Sequence, residues 1–240
     1  MTNRALQPAL LAAALAFAAA PLVTPPFMGY DPTIFPVVIP RPSVQPAGYA
    51  FAIWGLIYLW LILHAGFGLL RRRGDADYLC PAPALLGALI LGTLWLAIAG
   101  NYPITATLVI LVMAALALTA YLRAEASRER WLLAAPLAIF AGWLTAAAAV
   151  SLGVILAGFG ILSDTASALT MLILVLAIAL SVQAKRPQMP VYGATVTWAI
   201  IGIIAANWGL NAAVANAALA GALAMGLATI GLGWSRKPVY

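Results

Sequence analysis

The sequence predicts an all-α membrane protein, a polytopic bundle of about eight transmembrane helices, and three observations carry that prediction. The first is composition. Of the 240 residues, 65% are hydrophobic and only 8% are charged, too little charge to cover the surface of a soluble domain. The second is patterning. Charges, prolines and glycines divide the chain into eight apolar runs, at roughly 5–24, 46–70, 81–100, 103–122, 131–160, 165–184, 191–210 and 212–234. These runs are apolar throughout, whereas barrel strands alternate apolar and polar, so helices are favoured. The third is charge placement. With the amino terminus in the cytoplasm, eight spans put Arg4, Arg71, Arg72, Arg73, Arg123, Arg128, Arg130, Lys185, Arg186, Arg236 and Lys237 on the cytoplasmic side. That is 11 of the 12 basic residues; the opposite side keeps Arg41, with Asp31 and Asp164. Adding or losing one middle span scrambles this separation, so the positive-inside rule supports eight spans with both termini cytoplasmic.

Taken in order, the first run has two readings. Met1 to Arg4, an apolar core and Ala18-Ala19-Ala20 fit a cleaved signal peptide, whereas Pro8 and the apolar continuation past Ala20 fit a retained span. The segment 25–45 holds Pro25, Pro26, Pro32, Pro36, Pro40 and Pro42, so it is not helical, yet it also carries Phe27, Met28, Ile34, Phe35, Val37, Val38 and Ile39. A flexible linker is polar; this segment reads either as a lid or plug over the helix ends or as a loop resting in the headgroups. The second run keeps 25 residues, Pro46 to Leu70, free of formal charge before Arg71, Arg72 and Arg73 stop it. At about 1.5 Å per residue it is roughly 37 Å long, enough to cross a hydrocarbon core with some tilt. Asn101-Tyr102-Pro103 makes a tight turn between the third and fourth runs, and Gly153, Gly158 and Gly160 loosen the end of the fifth. Small residues repeat every fourth position at Ala141, Thr145, Ala149 and Gly153, and at Ala218, Ala222 and Gly226, ridges that let helices approach closely within a bundle or across a homodimer.

The same inventory excludes several function classes. The net charge of +6 sits in short clusters between apolar runs, the pattern that orients membrane spans, and no nucleic-acid partner is expected. Cys80 is the only cysteine, which excludes an internal disulfide, a thiolate metal site and a CxxC pair. No phosphate-binding loop, HExxH, GxSxG or paired carboxylates appear, so no catalytic residues and no metal site are assigned. No acidic residue lies inside a span, which disfavours an ion-coupled carrier.

The second run is the most aromatic. On an α-helix, Phe51, Trp54 and Tyr58 fall within roughly 60° of one another, and Trp60, His64 and Phe67 form another stripe. Such rings either stack on a flat apolar guest, with the Tyr hydroxyl and Trp N–H orienting a polar edge, or fill gaps between helices; spacing alone favours gap filling. His64, the only histidine, is either a functional residue, such as a proton acceptor or a haem ligand, or a hydrogen-bonded structural one. Asn207 and Asn211, four apart, are expected on one helix face, where they serve helix packing.

The segment Pro46-Ala47-Gly48-Tyr49-Ala50-Phe51-Ala52-Ile53-Trp54-Gly55-Leu56-Ile57-Tyr58 resembles the second-helix signature of the tryptophan-rich sensory protein family, TspO/MBR. It is most similar to the longer bacterial and plant branch, which reads PAGYxFxIWGxIY. Trp95, the stretch from Pro136 to Gly142-Trp143-Leu144-Thr145, and Val191-Tyr192 through Trp198 to Gly202 fit that branch too. The resemblance implies a five-helix core over residues 1–160 with a lid at 25–45, to which residues 161–240 add three helices. It implies a bacterial inner-membrane protein that binds a hydrophobic small molecule such as a porphyrin under the first loop, often as a homodimer. The ligand-binding candidates are Tyr49, Phe51, Trp54, Tyr58, Trp95 and Trp143, and the implied cofactor is a bound tetrapyrrole. The fifth run lacks the family's Leu-Asn pair near Ala147-Ala148, so sterol binding is not carried over. The leading expectation is thus tetrapyrrole binding for sensing, sequestration or passage. The alternatives are an uncoupled small-molecule transporter and an assembly subunit of a membrane complex.

Overall fold

The computed structural model describes residues 3–25, 27, 29–125 and 129–235. Pro26 and Met28 of the proline segment, and Arg128, Arg236 and Lys237 of the charge pattern, lie outside the described residues. Lipid offers no hydrogen bonds, so a chain this apolar must satisfy its backbone within each span. The described residues form nine α-helices: α1 (Asn3–Val23), α2 (Ile53–Arg71), α3 (Ala76–Leu79), α4 (Ala82–Ala99), α5 (Pro103–Arg123), α6 (Ala134–Gly158), α7 (Asp164–Lys185), α8 (Pro190–Asn207) and α9 (Ala212–Ser235). Two 3-10 turns, Pro32–Ile34 and Gly48–Ala52, complete them. Eight helical stretches are long and apolar enough to cross a membrane, with α3 and α4 counted as one and the second 3-10 turn joined to α2. The chain is therefore a multi-pass membrane protein with an all-helical bundle fold.

Helix boundaries follow local chemistry. Prolines stand at the first turns of α4, α5 and α8, where their missing N–H costs nothing. Ser163 caps α7 by accepting from the Ala166 N–H. α6 is the most enclosed span: 72% of its most apolar window is buried, against at most 50% for any other. Its small-residue ridge faces inward, with Ala141, Thr145, Ala149 and Gly153 all buried.

By packing, the chain falls into two compact units, Met1–Phe27 with Ile53–Leu144, and Met28–Ala52 with Thr145–Tyr240. In the first, α1 packs on α2 and α4, and α4 pairs with α5. Gln7 on α1, only 4% exposed, uses its whole amide here. Its Nε2 donates to the Gly68 and Arg72 carbonyls, at 3.0 and 2.9 Å, and its Oε1 accepts from the Gly74 N–H. These groups lie at the end of α2 and in the turn after it, where the Arg72 carbonyl also accepts from the Asp75 N–H. In the second unit α8 pairs with α9, and α7 packs on both. A second buried glutamine, Gln183, does similar work: Nε2 donates to the Arg186 and Met189 carbonyls and Oε1 accepts from the Gly193 N–H.

Two sequence expectations are corrected. Phe51 does not share an α-helical stripe with Trp54 and Tyr58, because Gly48–Ala52 winds as a 3-10 turn and α2 begins at Ile53. Its tighter pitch changes the angle assumed between Phe51 and the rings that follow. Asn207 and Asn211 do not share a helix face either. α8 ends at Asn207, and Gly209 at φ +74° turns the chain before α9.

Gly193 shows how closely the second unit packs: a Cβ there would stand 2.0 Å from Thr229 Oγ1 and 2.7 Å from Gln183 Oε1. Gly193→Ala is expected to cost about 1–3 kcal/mol through overpacking and to lower the thermal midpoint in detergent. Gly226→Ala, with nothing within 4 Å of its Cβ, is expected to leave that midpoint unchanged.

Candidate functional site

The aromatic residues of the second run separate into distinct clusters. In the first unit Trp54 and Tyr58, one turn apart on α2, stack at 5.3 Å between ring centroids and 19° between planes. Phe17 from α1 meets both edge-on, at 5.8 Å and 5.1 Å. Phe140 of α6 meets Phe17 at 5.8 Å, and Trp143 stands edge-on to Trp54 at 6.1 Å. Edge-to-face contacts set the positive ring edge against the negative face, which fixes ring orientation as well as filling space. Phe17, Phe140 and Trp143 are buried, whereas Trp54 and Tyr58 are only half-buried. The cluster is thus a stacked, partly open pair on a closed aromatic base.

The structure brings three of the six candidates, Trp54, Tyr58 and Trp143, into this cluster. Of the others, Trp95 belongs to the same unit, and Tyr49 and Phe51 belong to the second. Trp95 donates from Nε1 to the Ala106 carbonyl at 2.8 Å and meets Phe27 at 4.8 Å, tying α4 to α5. Tyr49, 46% exposed, stands edge-on to Trp198 in the second unit, and Trp198 donates to the Ala50 carbonyl. Phe51 is half-buried in its 3-10 turn. Phe17 and Phe140 were missed from sequence. Phe17 is the single aromatic of an alanine-rich run, and that isolation was the available signal.

The second stripe has a structural role at the arginine-bearing end of α2. Trp60 stacks on Trp131 and donates to its carbonyl at 2.7 Å. His64, fully buried, lies 2.8 Å from the Leu132 carbonyl through Nδ1; a carbonyl only accepts, so Nδ1 carries the proton. Its ring stacks on Tyr78, whose hydroxyl donates to Glu129 Oε2. Arg72 donates from Nε and Nη2 to Glu129 Oε1. That hydrogen bond, with the charge behind it, raises the Arg72 guanidinium above its ordinary range, so this partner stays charged at any usable pH. Glu129 itself sits in the left-handed region at φ +46°, uncommon for a side chain of this size, and its carbonyl accepts from the Leu132 and Leu133 N–H groups. His64 is thus held through Nδ1, while its buried Nε2 has no hydrogen-bond partner among the described residues.

A family model described as TSPO-like protein matches residues 41–231. That range takes in α7, α8 and most of α9. No curated protein and no solved structure matches the chain.

Phe17 touches three of the four other rings, so Phe17→Ala should cost about 3–5 kcal/mol. Near-ultraviolet circular dichroism should lose Trp and Tyr signal, with the helical far-ultraviolet signal kept at low temperature.

Proposed function

The chain belongs to the TSPO-like protein family, and from that premise we propose that it binds a flat apolar ligand, a tetrapyrrole such as a porphyrin. The observation that carries the reading is the half-buried Trp54–Tyr58 stack on its base of Phe17, Phe140 and Trp143. A stacked pair held by edge-on neighbours offers a flat apolar surface that needs no reorganisation, and each further ring contact adds about 0.5–1.5 kcal/mol beyond buried area. The Tyr58 hydroxyl and Trp54 N–H supply polar handles for an acidic or carbonyl edge of such a guest. Trp95 ranks below these positions, since its N–H is taken by the Ala106 carbonyl and its ring meets Phe27; Tyr49 and Phe51 remain candidates on the second unit. Binding of this kind serves sensing, sequestration or passage.

The test is protoporphyrin titration of purified protein, followed by Trp quenching. Trp54→Ala with Tyr58→Ala should weaken binding by about tenfold or more, whereas Trp60→Ala, on the other stripe, should not. Equal affinity of the double variant and the parent would remove the stack from the site.

We place the protein in a bacterial inner membrane with both termini cytoplasmic, on the arginine distribution. Cys80, exposed and seven residues beyond Arg73, should react with an impermeant maleimide only when the cytoplasmic side is opened. Labelling of intact spheroplasts would reverse that orientation.

A further inference from the structure

We propose that Arg130 and Trp131 form a binding site for the phosphate of an anionic phospholipid. The site lies at the arginine-bearing end of α2, apart from the Trp54–Tyr58 stack, and does not depend on what that stack binds. It starts from a turn. Residues 129–133 lead into α6, so they stand where the most enclosed span enters the membrane. The turn is fastened to α2 at three places: the Trp60 N–H donates to the Trp131 carbonyl, His64 Nδ1 to the Leu132 carbonyl, and Arg72 to Glu129 Oε1. Side chains borne on it therefore hold their positions without help from a ligand.

Two of those side chains hold donors next to each other. Trp131, 55% exposed, lies nearly parallel to Trp60, with 8° between planes and 6.5 Å between centroids. Its indole N–H has no acceptor among the described residues. The Arg130 guanidinium carbon stands 5.3 Å from the centre of the same ring. A guanidinium carries several N–H donors, and attraction to the ring's negative face places it without spending any of them. Two neighbouring carboxylates are already engaged: Glu129 accepts from Arg72 and Tyr78, and Asp75 caps α3 by accepting from the Asp77 N–H. Arg71 and Arg73 are exposed, with no ion-pair partner among the described residues, and add positive potential along the approach. A fixed guanidinium beside an indole N–H suits an oxyanion with two free oxygens, which a phosphate diester provides.

The surroundings favour a lipid over a free anion. Trp60 is flanked on α2 by Leu56, Leu59 and Leu63, each about half exposed, so an apolar track runs beside the donors. Tryptophan is itself the side chain that settles at the boundary between hydrocarbon and headgroup. An acyl chain along the leucines sets its headgroup phosphate at Arg130 and Trp131. The net charge of the lipid matters as well. A choline headgroup brings a cation to the guanidinium together with the phosphate, whereas a glycerol headgroup brings the phosphate alone. The site therefore selects phosphatidylglycerol over phosphatidylcholine.

The test uses the full-length protein in detergent, loaded with phosphatidylglycerol or phosphatidylcholine, with retained lipid counted by native mass spectrometry. Phosphatidylglycerol should be retained about tenfold more tightly. Arg130→Gln should abolish that preference. Arg71→Gln removes the same charge from the far end of α2 and should change the preference by less than about twofold. Trp131→Phe keeps a stacked ring, loses the N–H, and should weaken phosphatidylglycerol retention about threefold. Equal retention of the two lipids overturns the site. So does an equal effect of Arg71→Gln and Arg130→Gln, since it signals general charge attraction. Displacement of the lipid by millimolar inorganic phosphate overturns the lipid assignment. If Arg130→Gln does not fold, Trp131→Phe decides, and unchanged phosphatidylglycerol retention there counts equally against the inference.

Discussion

Everything in this structure answers to one constraint: a peptide group inside lipid must find its hydrogen bond within the protein. The eight spans meet it by being helices. The informative places are those where helices stop, because there the orphan carbonyls and N–H groups need another source. The chain supplies that source from side chains that look incidental in sequence. Gln7 completes the end of α2, Gln183 the turn between α7 and α8, and Ser43 joins the non-helical segment to three helix ends. Each of these side chains is nearly or wholly buried and each has its polar atoms satisfied. An unmet amide or hydroxyl at that depth costs more than its bond returns.

Aromatic packing is built onto that frame. Phe17 is one helix turn's choice among alanines, yet it sets the angle of Trp54, Tyr58 and Phe140 at once. Helices rich in alanine approach closely, so the few large rings decide where space remains between them. On α2 the rings at 54 and 58 share a surface that is partly open, while those at 60, 64 and 67 are absorbed by Trp131, Tyr78 and the Leu132 carbonyl. The two stripes of one helix thus have different fates.

Span number and the approximate extent of each span were legible in the sequence, since hydropathy, proline and glycine each act locally. The pairing of rings was legible only in part. Trp54 and Tyr58 are neighbours by helix geometry, but Phe17 and Phe140 arrive from other helices, and nothing local announces which face of an alanine-rich helix they occupy. Phe51 was misplaced because an α-helical angle was carried into a 3-10 turn. Asn207 and Asn211 were assigned to one face by spacing; in fact a helix end lies between them, and they still converge because both reach Ser43. The proline segment announced that it could not be helical, but not which helices would receive it.

The first helix carries a further consequence. It is pinned twice, by the amide of Gln7 at one level and by the ring of Phe17 about 15 Å along its axis. A rod fixed at two heights can neither slide nor roll without breaking one of its fastenings. The first span is therefore seated against the second at both its ends.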